Sequence, residues 1–280
     1  MLKQILLTIA ILLSLSCRAG APLSCRAGVP LSCRAGAPLS FRAGAPLSCR
    51  AGVPLSCRAG APLSCRAADS LPGPGEVVPQ TMIEKIGIDR WFSVTEIPDA
   101  VFASMQGKSF KSDCTVPRSD LRYLRVLHKD AEGRSIVGEM VVNKAIAADV
   151  LEILRKLYEA GYPIERMRLI DLYDADDETS MRANNSSSFN FRFVSHTTKV
   201  SKHGYGMAVD INPLYNPYHK YLKDGTEVVE PATGRPYLDR KNAFAYKITG
   251  DDLCCRLFKE KGFEWGGDWK SCKDYQHFEK

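Results

Sequence analysis

An octapeptide repeat is the feature that most limits how this chain can fold. Residues 17–66 repeat the unit Cys-Arg-Ala-Gly-Ala/Val-Pro-Leu-Ser, with Phe41 in place of one cysteine. Each unit holds a proline and a glycine, which oppose helix and sheet, and it offers a single leucine for burial. We therefore expect residues 17–79 to be a disordered repeat and linker. The folded part should be one domain over 80–280, about 200 residues long.

The 16 residues before the repeat are typical of a secretory signal peptide. Lys3 gives a basic start, and residues 5–15 form an almost unbroken apolar run that is too short to span a bilayer as a mature helix. Cys17 follows Leu-Ser, which loosely resembles a lipoprotein processing box, although Ser14 stands where leucine is preferred. Lipid anchoring at Cys17 or a later repeat cysteine, simple secretion and an uncleaved membrane anchor all stay open.

The repeat also explains the basic net charge of the chain. Residues 1–66 hold eight basic residues and no acidic one, so the remainder has 30 basic against 32 acidic residues. A nearly balanced domain has no overall attraction to nucleic acid, so we expect no nucleic-acid partner. The sequence leaves the oligomeric state open.

Six of the ten cysteines belong to the repeat, and the other four are Cys114, Cys254, Cys255 and Cys272. No Cys-x-x-Cys spacing occurs among those four, so a cysteine-ligated zinc site is not expected. An oxidising compartment would permit disulfides between them, and the sequence does not decide the pairing.

Hydrophobic periodicity and capping residues predict a mixture of helices and strands. Helices are predicted over 99–106, 144–159 and 250–261, the last two capped by Asn143 and Thr249. A long polar loop is predicted over 174–190. Strands are predicted over 121–127, 136–142, 167–173, 191–194, 207–212 and 276–279. Because these elements show no regular βαβ rhythm, we expect an α+β fold with a largely antiparallel sheet and flanking helices.

Two short segments, 201–212 and 265–279, hold the residue types that zinc chemistry requires. The first contains His203 and Asp210, separated by six residues, and the second contains Asp274 and His277, separated by two. Catalytic zinc usually keeps three protein ligands and leaves a position for water, whose proton a further carboxylate must accept. His203, Asp210 and His277 are therefore candidate ligands, and Asp274 is the candidate base.

The neighbours of these residues support the prediction of a metal site, for which the spacing alone is weak evidence. Gly204 and Gly206 allow a tight turn beside His203. The apolar residues on both sides of Asp210, at 207–209 and 211, predict a buried strand. A buried carboxylate needs a partner such as a metal ion.

Both segments resemble the zinc D-Ala-D-Ala carboxypeptidase family, which also contains VanX-type dipeptidases and endolysin L-alanyl-D-glutamate peptidases. The pattern Ser-x-His-x-x-Gly-x-Ala-x-Asp is present over 201–210. The closing Trp-Gly-Gly-Asp-Trp and Asp-Tyr-x-His-Phe-Glu, over 265–279, are similar to the L-alanyl-D-glutamate branch. Many relatives outside that branch have glutamate where this chain has Asp274, so the shorter side chain must sit closer to the metal. The resemblance extends loosely over 120–280 and implies the Hedgehog/DD-peptidase fold.

The resemblance implies a role for each of five residues. His203, Asp210 and His277 would bind Zn²⁺, and Asp274 would be the general base. Arg192 would stabilise the developing oxyanion or bind a substrate carboxylate, and a guanidinium suits both roles.

The implied activity is hydrolysis of peptidoglycan stem peptides outside the cytoplasmic membrane. The chain would be a periplasmic protein, an outer-membrane lipoprotein or a cell-surface protein. Two reactions compete: L-Ala–D-Glu endopeptidase, which the branch slightly favours, and D-Ala–D-Ala carboxypeptidase. A non-catalytic zinc-containing wall-binding module is the alternative. A purely structural zinc domain is disfavoured because such sites usually have four protein ligands.

Other residues with chemical potential have weaker context. His128, His196 and His219 are expected to be packed or exposed. The acidic run 174–178 hints at calcium but lacks the glycine and final glutamate of an EF-hand loop. A final group could either line the site or simply pack: Ser201, Tyr205, Trp265 and Trp269.

Overall fold

The computed structural model describes residues 71–194 and 198–280. The predicted signal peptide and the octapeptide repeat lie outside the described residues, so both stay predictions. The unit that contains the described residues runs from Leu71 to Lys280. Residues 71–79, predicted to be the end of the linker, belong to this unit, which begins nine residues before the predicted boundary at residue 80.

Backbone hydrogen bonds explain this earlier start. The Gly75 N–H donates to the Val137 carbonyl at 2.7 Å, and the Val78 N–H donates to the Ser135 carbonyl at 2.8 Å. The side chain of Val78 is buried in the core. Proline and glycine in this stretch suggested a linker, but its backbone has partners on a neighbouring strand.

The longest strands form an antiparallel sheet in the order β1–β2–β3. Its members are β1 Ser93–Thr95, β2 Leu121–Lys129 and β3 Ser135–Asn143. Helix α3, Ala147–Glu159, packs against β2 and buries Val150, Leu154 and Leu157. The prediction of two strands followed by a helix is confirmed, but the helix begins at Ala147 rather than at residue 144, because Asn143 binds the Ala145 N–H in a preceding turn.

Three smaller sheets complete the architecture. An antiparallel sheet in the order β6–β11–β9 contains β6 Ala208–Asp210, β11 His277–Glu279 and β9 Glu264–Trp265. Another, in the order β10–β7–β8, contains β7 Tyr218–Tyr221, β8 Glu227–Glu230 and β10 Lys273–Asp274. A parallel pair joins β4 Arg166–Met167 to β5 Asn185–Ser186. The predicted α+β class with mainly antiparallel pairing is confirmed.

The remaining α-helices are α1 Gln80–Ile86, α2 Asp99–Met105, α4 Asp177–Arg182 and α5 Leu253–Glu260. Asp252, not the predicted Thr249, caps α5 by accepting a hydrogen bond from the Cys255 N–H at 2.8 Å. Phe258 of α5 stacks on Phe278 of β11 with 4.2 Å between ring centroids, so the main core reaches the C-terminal strand. No helix in the described part of the chain has the length and apolar character to cross a membrane.

Three predicted boundaries between 167 and 194 are wrong. The strand over 167–173 shortens to β4 and is followed by a 3-10 helix, Ile170–Tyr173. The loop over 174–190 contains α4, which the Asp176 carboxylate caps by accepting from the Thr179 N–H at 2.8 Å. The strand over 191–194 is reduced to a single bridge between Phe193 and Val200. Polar side chains form local caps here that hydrophobic periodicity does not register.

The four cysteines outside the repeat are free thiols, and Cys254 and Cys255 are buried in α5. The disulfides that an oxidising compartment would permit are therefore absent among the described cysteines.

His128, on β2, predicts an acid-sensitive stability. Its side chain is buried, and its Nδ1–H donates to the Ile164 carbonyl at 2.7 Å. Burial lowers the pKa of His128 to about 4, from 6.5. Between these two pH values the unfolded chain binds a proton at His128 that the folded chain does not bind. The free energy of unfolding is therefore highest above pH 6.5 and falls by on the order of 3 kcal/mol as the pH drops toward 4.

Urea unfolding between pH 7 and pH 4 measures this effect. His128→Gln should flatten the acid side of the plot of unfolding free energy against pH, relative to the parent. This holds even if the substitution lowers the stability by the same amount at every pH. Equal slopes for parent and His128→Gln would refute the assignment.

Candidate metal centre

The three predicted metal-binding side chains meet at one point. His203 Nε2 lies 3.1 Å from His277 Nδ1 and 3.2 Å from Asp210 Oδ2. His277 Nδ1 lies 3.1 Å from Asp210 Oδ1. All three ligand atoms lie within 4.8 Å of one another, so the group could hold a metal ion. A separation of 74 residues between the two histidines is closed entirely by the fold.

Strand register brings two of the three together. In the antiparallel pair of β6 and β11, Asp210 stands directly opposite His277. Residues opposite each other in such a pair project from the same face of the sheet. The neighbouring residues Val209 and Phe278 point to the other face and are fully buried in the core, which fixes the register.

His203 is positioned by a short 3-10 helix, His203–Tyr205, that ends just before β6. The Ser201 hydroxyl accepts a hydrogen bond from the His203 N–H at 3.2 Å. Gly206 follows with φ of +66°, and a Cβ there would lie 2.8 Å from the backbone nitrogen of Asn143. Only glycine satisfies both conditions, so this turn packs closely against the end of β3.

Outer hydrogen bonds orient both imidazole rings. His203 Nδ1–H donates to the Ser188 carbonyl at 2.8 Å, and His277 Nε2–H donates to Glu279 Oε2 at 3.0 Å. Carbonyl and carboxylate oxygens only accept, so the outer nitrogens carry protons. The inner nitrogens therefore face each other and a carboxylate, an arrangement that suits a cation between them.

The electrostatics of the group agree with this requirement. Burial opposes charge on His277, but hydrogen bonds to Asp210 and Glu279 raise the pKa of His277 to about 10. Burial likewise opposes charge on Asp210, yet the two histidines hold the pKa of its carboxyl well below its usual range. Surroundings that stabilise a positive charge here fit a divalent cation, and two imidazoles with one carboxylate are a donor set typical of Zn²⁺.

Asp274 lies beside this group at the end of β10. Its Oδ1 is buried and has no hydrogen-bond partner among residues 71–194 and 198–280. Burial raises the pKa of Asp274 to about 7, and the charges of His277, His203 and Arg192 act against that rise. A carboxylate whose pKa lies near neutrality can both take up and release a proton.

A glycine makes room for Asp274. A Cβ on Gly266 would lie 2.5 Å from the Asp274 carbonyl oxygen and 2.7 Å from its Cβ. The Trp-Gly-Gly-Asp-Trp segment therefore allows close packing against the candidate base.

Arg192 reaches the same region. Its Nε lies 2.5 Å from Asp177 Oδ2 of α4, and its charge lowers the pKa of Asp274. The structure thus places all five predicted site residues in one neighbourhood, with Arg192 held by an acidic partner that the sequence did not suggest.

Other candidates from the sequence lie elsewhere or pack. His128 is in the core, and His219 contacts Glu227 at 2.9 Å. His196 lies outside the described residues. In the acidic run, Asp174 pairs with Lys108 at 2.7 Å. Because Asp176 caps α4, these carboxylates have structural partners and form no calcium loop.

The two tryptophans behave differently from each other. Trp265 is buried, and its Nε1–H donates to the Tyr275 carbonyl at 3.0 Å, so it packs. The ring of Trp269 lies 5.3 Å from the His277 ring, centroid to centroid, so it forms part of the wall beside the metal centre. Tyr205 is exposed at 41 %.

Sequence reasoning missed Glu279 and Ser188 as residues that orient the imidazoles. Glu279 could have been found, since it follows His277 by two positions on a predicted strand and therefore shares its face. Ser188 acts through its backbone carbonyl, so its side chain carries no signal.

In this α+β unit two antiparallel strands and a short 3-10 helix bring together two histidines and an aspartate. With an unpartnered carboxylate beside them, these residues form a metallopeptidase-like centre. Residues 195–280 match the family described as D-alanyl-D-alanine carboxypeptidase. This part of the chain is similar to that family, whose members are zinc-dependent peptidases, and the resemblance predicted from the sequence is confirmed. The match contains the three convergent residues and Asp274, whereas Arg192 precedes it. No solved structure matches the chain.

Zinc binding should depend on the convergent residues. We expect the full chain to bind one Zn²⁺ and His203→Ala or His277→Ala to lose it, because two remaining ligands hold zinc weakly. Glu279→Ala should reduce affinity by about 10- to 100-fold, because it frees the His277 ring. Zinc titration against a chromophoric chelator measures both effects.

His219→Ala is the matched control for these variants and should bind zinc like the parent. Full zinc affinity in His203→Ala or His277→Ala would show that the metal, if any, binds elsewhere.

Proposed function

We propose that this chain is an exported zinc peptidase that hydrolyses D-amino-acid-containing stem peptides of peptidoglycan. The observation that carries the proposal is the convergence of His203, Asp210 and His277 beside the unpartnered carboxylate of Asp274. The family match supports a peptidase, and the family description names a D-alanyl-D-alanine substrate.

The proposed mechanism divides the work between the metal and the chain. His203, Asp210 and His277 would hold the zinc ion, which would supply Lewis-acid chemistry and lower the pKa of water from about 15.7 to about 7. The Asp274 carboxylate accepts the proton of the attacking water at its unpartnered Oδ1 and returns it to the leaving amine.

Arg192 would stabilise negative charge that develops on the scissile carbonyl oxygen. Its guanidinium is permanently charged, and Asp177 holds it in place through the 2.5 Å contact. A positive group fixed before the reaction stabilises the transition state without reorganising during it.

Two bonds of the stem peptide are candidates, and we favour L-Ala–D-Glu. Cleavage of D-Ala–D-Ala requires a cation to bind the free C-terminal carboxylate. Arg192 is the cationic side chain whose charge acts on Asp274, and it is already paired with Asp177. This pairing supports the endopeptidase reaction, as does the similarity of residues 265–279 to the L-alanyl-D-glutamate branch.

Non-catalytic wall binding is the alternative function. It would not need a buried carboxylate without a partner next to the metal, since such a group is costly to maintain. A structural zinc domain would need a fourth protein ligand, and the metal-ligand group found among the described residues has three members.

Removing the proposed base should abolish hydrolysis while zinc binding persists. Asp274→Asn should lower kcat by about 100- to 10,000-fold, because an amide cannot take up the proton of water. The assay digests L-Ala–γ-D-Glu–L-Lys–D-Ala–D-Ala with the zinc-loaded full chain and weighs the products. Free L-Ala indicates the endopeptidase, and free D-Ala indicates the carboxypeptidase.

Asp268→Asn is the control, because Asp268 lies in the same segment but pairs with Lys259 on the surface. It should retain the parent rate. An Asp274→Asn variant as active as the parent would refute the mechanism. A zinc-loaded parent that releases neither amino acid would favour the wall-binding alternative.

Export is the part of the proposal that rests on residues 1–17 alone. After expression in bacteria, we expect the mature protein to lack residues 1–16 and to fractionate outside the cytoplasm. Mass spectrometry of the N-terminal peptide would reveal an acylated Cys17 or an acylated later repeat cysteine. A full-length chain that begins at Met1 and stays in the cytoplasm would contradict export.

A further inference from the structure

A row of three side chains crosses the sheet that carries Asp274. In the order β10–β7–β8, Asp274 stands opposite Tyr218, and Tyr218 stands opposite Glu230. Side chains opposite one another in antiparallel strands share a face. Asp274, Tyr218 and Glu230, here called the cross-strand row, therefore project together from one face of this sheet.

Electrostatic interactions agree with the shared face of the cross-strand row. Burial first, then Cys272, Asp274 and Glu230, raise the pKa of Tyr218. Burial also raises the pKa of Asp274 and of Glu230, and the charge of Arg192 acts against both rises. The same guanidinium thus acts on both ends of the row, one of which is the proposed base.

The Glu230 carboxylate has no ion-pair partner in the described part of the chain. Two other carboxylates nearby are engaged: Asp177 pairs with Arg192, and Glu178 accepts a hydrogen bond from the Ala232 N–H at 3.0 Å. The cross-strand row therefore ends in a carboxylate that is free to bind a cationic group.

A buried acceptor lies next to Glu230. The side chain of Gln276 is only 2 % exposed, and its Nε2–H donates to the Glu230 carbonyl at 3.5 Å. Its Oε1 is buried without a partner among the described residues. Since a buried acceptor without a donor is costly, this oxygen indicates a ligand that supplies N–H groups.

We propose that Glu230 is a specificity-determining residue that binds a primary ammonium group of the substrate peptide. This inference rests on the proposed function, because it assigns the ammonium to the peptide that Asp274 helps to cut. The Tyr218 ring between the two carboxylates gives the methylene stem of such a group an apolar surface to contact.

The geometry sets the distance between the ammonium and the scissile bond. Neighbouring strands lie about 4.8 Å apart, so two steps separate Asp274 from Glu230 by about 10 Å. An extended peptide advances about 3.3 Å per residue. The ammonium group should therefore lie about three residues from the bond that is cut. In a stem peptide this is the lysine side chain if L-Ala–D-Glu is cut, or the amino terminus if D-Ala–D-Ala is cut.

Selective acetylation of the peptide tests this assignment. The probe is L-Ala–γ-D-Glu–L-Lys–D-Ala–D-Ala, used unmodified, acetylated at the amino terminus, acetylated at the lysine, or acetylated at both. Each form is assayed with the zinc-loaded full chain and with Glu230→Gln. We expect Glu230→Gln to lower kcat/KM about fivefold for peptides that keep the recognised amine, and to leave the doubly acetylated peptide unaffected.

The two singly acetylated peptides identify which amine is recognised. Asp224→Asn, which removes one carboxylate from the tip of the same hairpin and can still accept from the Thr226 N–H, should match the parent on every peptide. Equal losses on all four peptides would show a structural role for Glu230, and no loss on any would show no role. Either result overturns the proposal.

Binding of the same four peptides to zinc-loaded Asp274→Asn and to the Asp274→Asn/Glu230→Gln double variant separates this proposal from the proposed function. Tighter binding of the amine-bearing peptides that disappears in the double variant would support Glu230 even if the parent cleaves nothing. Identical affinities for all four peptides would refute it even if the parent is an active peptidase.

Discussion

The pairing of β6 with β11 is the constraint on which the candidate site depends. Its register places Asp210 opposite His277, and a slip by one residue would turn both side chains into the core and expose Val209 and Phe278. Phe278 stacks on Phe258 of α5, so the hydrophobic core itself holds the register. The metal centre is therefore a consequence of burial on the opposite face of the same strands.

Around this pair, the chain arranges groups that make an inner cation favourable. Ser188 and Glu279 orient the outer nitrogens of the two imidazoles, and Asp210 faces the inner ones. Asp274 stands apart from these hydrogen bonds, with its Oδ1 unpartnered. Holding a carboxylate in this state costs stability, and such costs concentrate where a protein carries out chemistry.

A second sheet connects the candidate metal centre to Glu230. Because β10 runs directly into β11, the strand that carries Asp274 also leads to the proposed metal ligand His277. The hairpin of β7 and β8 extends this sheet away from Asp274 and carries Glu230. A single layer of backbone hydrogen bonds therefore connects the proposed base to the proposed recognition residue.

The sequence by itself determined the α+β class, the long hairpin with its helix, the family resemblance and the five side chains of the candidate site, because periodicity and motif spacing are local properties. It misplaced the elements over 167–194, where caps and short helices depend on individual side chains. Only the tertiary structure brought His203, Asp210 and His277 within 4.8 Å of one another. It also revealed the Ser188 carbonyl at His203 and the place of Glu230 on the face of Asp274, since these depend on strand register and backbone contacts between segments far apart along the chain.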